Sequence, residues 1–229
     1  MTFARKVIEF NRNLEFKGTL PAGVGIMNPF RENPVVNTLS AEFYTKFFSD
    51  DKERKLILGI NPGRFGAGST GIPFTDTKRL NENCGIPFTG FRTHEPSSSF
   101  IYEMISAFGG VKEFYGSYFL SAICPLGFTR EGKNEKPVNF NYYDTRELES
   151  ISYPFILDTL KKQISFGVDK SVCYCLGTGK NEIFLRKVNK EHHFFEEIIA
   201  LEHPRYIMQY RARFKDQYID KYVRVLGDY

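Results

Sequence analysis

The sequence predicts an α/β protein, a three-layer sandwich in which helices flank a central four-stranded parallel sheet. Three observations predict it. Short apolar runs at residues 55–60, 117–124, 171–176 and 198–202 read as buried strands. The stretches between them carry apolar residues three or four positions apart, which is helical spacing. Each run also ends on turn residues: Asn61-Pro62-Gly63, Pro125-Leu126-Gly127, Gly177-Thr178-Gly179 and His203-Pro204. Strands that alternate with helices in this way pair in parallel and take helices on both faces.

The elements follow in order. Residues 2–17 place Phe3, Val7, Ile8, Phe10, Leu14 and Phe16 among polar residues and read as an amphipathic helix. Residues 18–37 are rich in glycine and proline and read as irregular. A second helix is predicted over 39–48, with Ser40 as its N-cap. This N-terminal region, residues 1–50, is expected to pack on one domain spanning residues 1–229. The first strand and its loop come next, then an irregular stretch over 77–98. Ser97-Ser98-Ser99 precedes a helix over 100–108 that Gly109-Gly110 closes, and N-capping is a sufficient role for the serines. The second strand, 117–124, leads into a loop over 128–145. A mainly helical region over 144–166 follows, with Pro154 interrupting it or starting its second half. The third strand ends at Gly177-Thr178-Gly179-Lys180. That string is not a phosphate-binding P-loop, because Tyr174 stands where glycine is required and Asn181 where Ser or Thr is required. A plain strand-to-helix turn is predicted, with a helix over 181–192. The fourth strand ends at His203, and Tyr206–Leu226 reads as one last helix with Ile207, Tyr210, Phe214, Tyr218, Tyr222 and Val225 as its core stripe.

Composition narrows the class. A chain of 229 residues is large enough to bury a sizeable core without disulfides. Its four cysteines (Cys84, Cys124, Cys173, Cys175) show no CxxC spacing, so no metal site, cluster or disulfide framework is expected. Cys173 and Cys175 share one face of a predicted strand and read as core thiols. The first residues carry charges where a secretory leader needs an apolar run, and no apolar run reaches membrane-spanning length. A monomer in a reducing, cytoplasmic setting is the expectation. The net charge of +4 is compatible with a polyanionic partner and does not by itself point to one.

The richest stretch is 55–76. After the apolar run, four glycines (Gly63, Gly66, Gly68, Gly71) and two prolines (Pro62, Pro73) fall within twelve residues. Such a loop lets backbone approach a ligand closely. Asn61 stands at its mouth, Phe65 and Phe74 lie within it, and together they suit a flat polar molecule. Read alone, Asn61-Pro62-Gly63 is equally an ordinary turn and Phe74 plain core.

The string GINPGRFGAGSTGIPF, residues 59–74, resembles motif 1 of the uracil-DNA glycosylase superfamily, without a gap over sixteen residues. It is most similar to the single-strand-selective monofunctional (SMUG-type) branch, whose pattern is close to GMNPGPFGMAQTGVPF. His203-Pro204 after the fourth strand resembles motif 2 of that branch; the mismatch-specific branch has Asn in place of the His. The second strand, ending Cys124-Pro125-Leu126, resembles the branch as well. The likeness covers these motifs and the four-strand frame, about half of the chain. Two departures stand out. The branch reads the pyrimidine edge with an Asn where this chain has Ala122; Asn139 and Asn141 are candidates to replace it, though loop asparagine is their simpler reading. Beyond Pro204 the chain runs Arg205-Tyr206-Ile207, unlike the segment that enters the duplex in the family.

The resemblance implies a monofunctional DNA glycosylase for uracil, acting on single- or double-stranded DNA without a cofactor or metal. Asn61 would hold the attacking water. His203 would hydrogen-bond the oxyanion developing on the base, assisted by amides near Gly63. Phe74 would stack on the base, with Phe65, Ala67 and Ala122 as further pocket walls. Ser97, Ser98, Ser99, Arg205 and Arg211 would contact DNA phosphates, although helix caps and a solvated helix face are the plain readings of these residues. Asp76 is a candidate to assist the water, or a simple capping carboxylate. No lysine occupies either motif, so no Schiff base is expected. Ala122 leaves open another damaged base, such as hypoxanthine, xanthine or a 5-substituted uracil. A catalytically inactive DNA-binding homologue and a small-molecule α/β enzyme are the readings from other classes.

Overall fold

The computed structural model describes residues 1–228. Among these residues are seven strands and eleven α-helices. They run α1 (Phe3–Arg12), β1 (Val24–Met27), α2 (Pro29–Glu32), α3 (Pro34–Phe47), β2 (Arg54–Gly59), α4 (Ala67–Thr70), α5 (Thr77–Glu82), α6 (Pro96–Phe108) and α7 (Val111–Ser117). The second half adds β3 (Tyr118–Ala122), β4 (Gly127–Glu131), β5 (Pro137–Phe140), α8 (Arg146–Ile164), β6 (Val168–Leu176), α9 (Lys180–His192), β7 (Glu197–Leu201), α10 (Pro204–Tyr210) and α11 (Lys215–Gly227).

The predicted sheet is present: four parallel strands in the order β3-β2-β6-β7. β3 is buried at every position and β2 at every position but Lys55, as expected for a parallel sheet covered on both faces. Leu56, Leu58, Leu120, Val172 and Leu176 anchor a core that includes Phe3, Val7 and Phe43 of the N-terminal helices. Arg54 is buried in that core. It donates to the Tyr115 carbonyl at 2.8 Å and pairs with Asp50 at 2.8 Å, and the guanidinium lies over Phe48. A buried cation is tolerable only when satisfied in this way. The four cysteines are buried free thiols.

Several boundaries differ from the sequence expectation, each for a local reason. The first helix stops at Arg12, and Thr2 caps it. The second begins at Pro34 because Asn33, not Ser40, caps it by accepting the Val35 amide; Ser40 is interior and bonds Asn11. The stretches read as irregular hold β1 and α2, and α5, which Asp76 caps. The 128–145 loop contains β4 and β5; β4 pairs with β1 on one side and β5 on the other in a separate three-stranded antiparallel sheet. The last helix is two helices, broken at Arg211 by a 3₁₀ turn over Ala212–Phe214. The break turns Tyr210 outward, so it is 64% exposed and is not part of the core stripe.

Candidate active site

The connection leaving β2 runs to β3, and the one leaving β6 runs to β7 on the other side. Diverging connections open a crevice at the carboxyl ends of the strands, where parallel α/β sheets bind ligands. Asn61 follows β2 and His203 follows β7, so residues 142 positions apart face one cavity of about 110 Å³. Gly63, Phe74, Glu95 and Ala122 line it with them, and the exposed Arg205 borders it.

Asn61 is held at both ends of its amide. Its Nδ2 donates to the Phe140 carbonyl at 3.3 Å, and its Oδ1 accepts the Tyr142 N–H at 3.2 Å. The last residue of β5 and the turn after it thus fix which way the amide points. Tyr142 is held in turn, because its hydroxyl donates to Asn181 Oδ1 at 2.9 Å. Asn181 is buried and donates to the carbonyls of Leu176 at 3.1 Å and Gly59 at 3.4 Å, the last residues of β6 and β2. The residue that rules out a P-loop therefore ties two strand ends to the residue that orients Asn61.

His203 caps α10: its Nδ1 accepts the Arg205 N–H at 3.1 Å. That bond uses the ring's acceptor, so the proton of the neutral ring sits on Nε2. Burial, aided by the Arg205 charge, lowers the His203 pKa to about 4. A neutral imidazole with a fixed N–H donor results. The Phe74 ring lies 5.6 Å from it, tilted by 45°. Phe74 has φ of +53°, a left-handed conformation rare for an aromatic residue and common where a site over-determines its backbone. Gly59 permits this, because a Cβ there would stand 2.8 Å from the Phe74 ring.

The cavity gathers most of the predicted residues: Asn61, Gly63, Ala67, Phe74, Ser97, Ala122, His203 and Arg205. Asn139 and Asn141 also line it. Asn139 Oδ1 accepts the Arg64 N–H at 3.1 Å, and Asn141 is tied to Asp144. Others lie elsewhere. Phe65 does not wall the cavity; it is 53% exposed and stacks on Arg64. Ser98 and Ser99 are buried in the first turn of α6, so neither presents a hydroxyl to DNA. The Ser98 hydroxyl has no partner, and Ser99 accepts from Arg79 at 2.6 Å. They are not N-caps either: Glu95 holds that position and Pro96 begins the helix. Arg211 lies outside the cavity, its Nε on the Tyr206 hydroxyl at 3.2 Å. Asp76 is fully buried, capping α5 through the Arg79 N–H at 2.8 Å.

The sequence reading missed Glu95 and Gln163. Glu95 carried one signal: a proline next to it marks a helix start, and glutamate is an unusual cap there. Its side chain makes no capping bond. Gln163 carried none. It reaches from α8 to the Ala122 carbonyl at 3.2 Å and accepts the Ser121 hydroxyl, steadying the wall where the family has its Asn. Among the described residues, no group of three or more His, Cys, Asp or Glu side chains is placed to hold a metal.

The family model of the uracil DNA glycosylase superfamily matches residues 45–227. This chain belongs to that superfamily. A DNA glycosylase for repair is what membership and this site agree on. The glycosylase is also similar to wild-type SMUG2 from Pedobacter heparinus, seen in a crystal structure. The two share 54% identity and a TM-score of 0.97, over 100% of this chain and 98% of that one. That match sets the glycosylase in the SMUG-type branch. No curated protein matches it. Among its described residues, no helix is long and apolar enough to cross a membrane.

Proposed function

We propose that this glycosylase hydrolyses the N-glycosidic bond of uracil in DNA and leaves the sugar-phosphate strand intact. The observation that carries this reading is a neutral His203 with its Nε2–H free to face the cavity, opposite a carboxamide locked in orientation. A base inside a duplex is out of reach, so the nucleotide is flipped out or taken from a single strand, at about a few kcal/mol. In the cavity Phe74 stacks on the base. As the glycosidic bond lengthens, negative charge grows on the pyrimidine oxygens. His203 donates its Nε2–H to one of them, and amides near Gly63 add further donors. A charged imidazolium would be a stronger donor, but a neutral one needs no rearrangement at neutral pH and does not hold product by its charge. Asn61 holds the water that attacks the sugar. Arg205, which is exposed at the border of the same cavity, contacts a flanking phosphate, while Ser97 is as buried as Ser98 and Ser99.

Ala122 offers no amide to read the pyrimidine edge. Asn139 is the replacement the geometry favours, since its Oδ1 is taken by the Arg64 amide and its Nδ2 remains beside Gly63. The same gap favours a second reading, in which hypoxanthine, xanthine or 5-substituted uracil is also excised. The test is single-turnover base release from oligonucleotides carrying each lesion, in single and double strands. Uracil released fastest supports the first reading, and another base released faster supports the second. DNA binding without release of any base would refute both.

A further inference from the structure

Asn61 holds a water but cannot take its proton, because a carboxamide is too weak a base. The cavity has one carboxylate in its wall, Glu95. Its position is built rather than incidental. The backbone N–H of Glu95 donates to Asp76 Oδ2 at 2.8 Å, which fixes the residue at the start of α6. The side chain then folds back over the motif loop. A Cβ on Gly63 would lie 2.8 Å from Glu95 Oε1, and one on Gly66 would lie 2.0 Å from Oε2. Those two glycines leave room for the carboxylate, and Gly63 lies two residues along the chain from Asn61. Asp76, the acid that the sequence pointed to, is fully buried. Its oxygens serve the Arg79 and Glu95 amides, with Arg79 and His94 beside them. The charged neighbours of Glu95 are therefore Asp76 behind it and Arg205 across the cavity, with the neutral His203 on the facing wall. Burial first, and then the Asp76 charge, push its carboxyl up to about 7, while Arg205 acts in the other direction. A base of that strength is matched to proton transfer near neutral pH.

We propose that Glu95 is the general base of the hydrolytic step, which rests on the glycosylase reading above. The water on Asn61 forms its bond to C1′ of the deoxyribose as the bond from C1′ to the base nitrogen breaks. The electron pair of the broken bond leaves with the base as an anion on the His203 Nε2–H. The proton of the water passes to the Glu95 carboxylate and returns to solvent or to the base on product release. Atoms and charge balance without an oxidant, metal or cofactor.

The experiment is single-turnover uracil release from a uracil-containing single-stranded oligonucleotide, from about pH 5 to pH 9, for the wild type, Glu95→Gln and Glu95→Asp. The wild-type rate should rise to a plateau with an apparent pKa near 7. Glu95→Gln should lose about 100- to 10,000-fold on the plateau and lose the rise with pH. Glu95→Asp should keep a rise at a displaced pH. A Gln variant that keeps the wild-type rate overturns the assignment. So does one that is slower but retains the same pH rise, since that outcome makes Glu95 a structural brace of the glycine loop. Thermal melts of each variant separate loss of fold from loss of base, and Glu95→Asp decides the case if the Gln variant does not fold. A wild type that releases another base and not uracil refutes the substrate reading alone, and the same profiles on that base then decide the role of Glu95.

Discussion

The two sheets of this molecule do different work. The parallel sheet is buried along β2 and β3, and its strand ends carry Asn61 and His203 into one cavity. In the antiparallel sheet β1 is only half-buried and Pro137 and Val138 of β5 are exposed, yet the last residue of β5 and the turn after it supply the two backbone groups that orient Asn61. The difference teaches that placement and orientation come from separate structures. Strand ends bring reactive residues within reach, and the end of a marginal sheet, with the turn after it, points one of them at the chemistry.

The largest expected effect tests whether stability resides where that contrast says. Leu58→Ala, fully buried near the end of β2, should cost about 2–5 kcal/mol in urea unfolding, because the lost burial leaves a cavity. Val138→Ala, 38% exposed in β5, should stay within about 0.5 kcal/mol. Equal costs would break the contrast.

The next effect tests the link between the sheets. Asn181→Ala takes the Asn181 amide from the Tyr142 hydroxyl and from the Leu176 carbonyl, while the Gly59 carbonyl keeps the Ile123 N–H at 3.0 Å. It should cost about 1–3 kcal/mol, and the misplaced Asn61 should slow base release by about ten- to a hundredfold. Tyr142→Phe removes only the hydroxyl and keeps the N–H on Asn61, so it should slow release far less. If Tyr142→Phe is the slower enzyme in a single-turnover assay, the orientation does not pass through the backbone at the end of β5 and the turn after it.

The legibility of the chain divides along the same line. Leu-Ile-Leu-Gly, Tyr-Phe-Leu-Ser-Ala and Val-Cys-Tyr-Cys-Leu announce buried strands because burial on both faces leaves no room for polar alternation. The strands of the small sheet are four or five residues long and contain Gly, Pro, Asn and charges; β1 finds β4 only after about a hundred residues of chain. No local pattern records such a pairing. Asn61 and His203 were legible because each sits on a motif at a strand end. Glu95 was not, because its carboxylate gains meaning only where the fold lays it on Gly63 and Gly66. The split of the last helix escaped because the apolar spacing runs on through Arg211 while the backbone does not.

A smaller effect is the pH dependence of stability, where two groups of the site pull in opposite directions. Glu95 is raised from 4.5 to about 7, so across that window the folded protein holds a proton that the unfolded chain has lost, and stability falls as pH rises. His203 is lowered from 6.5 to about 4, so below 6.5 the unfolded chain takes up a proton first, and stability falls as pH drops toward 4. Glu95→Gln should remove the first loss and be more stable than the wild type by about 1–2 kcal/mol near pH 8, in urea melts across pH. A Gln variant less stable at that pH would mean that the carboxylate braces the loop more than its burial strains it.

The convergence of the two strand ends on one base is tested most directly by single-turnover release of uracil by Asn61→Ala, His203→Ala and the double variant. Each single variant should lose about 100- to 1,000-fold or more, and the double variant should lose less than the product of the two, because groups that act on one transition state fail together. Full activity in both single variants would contradict the account.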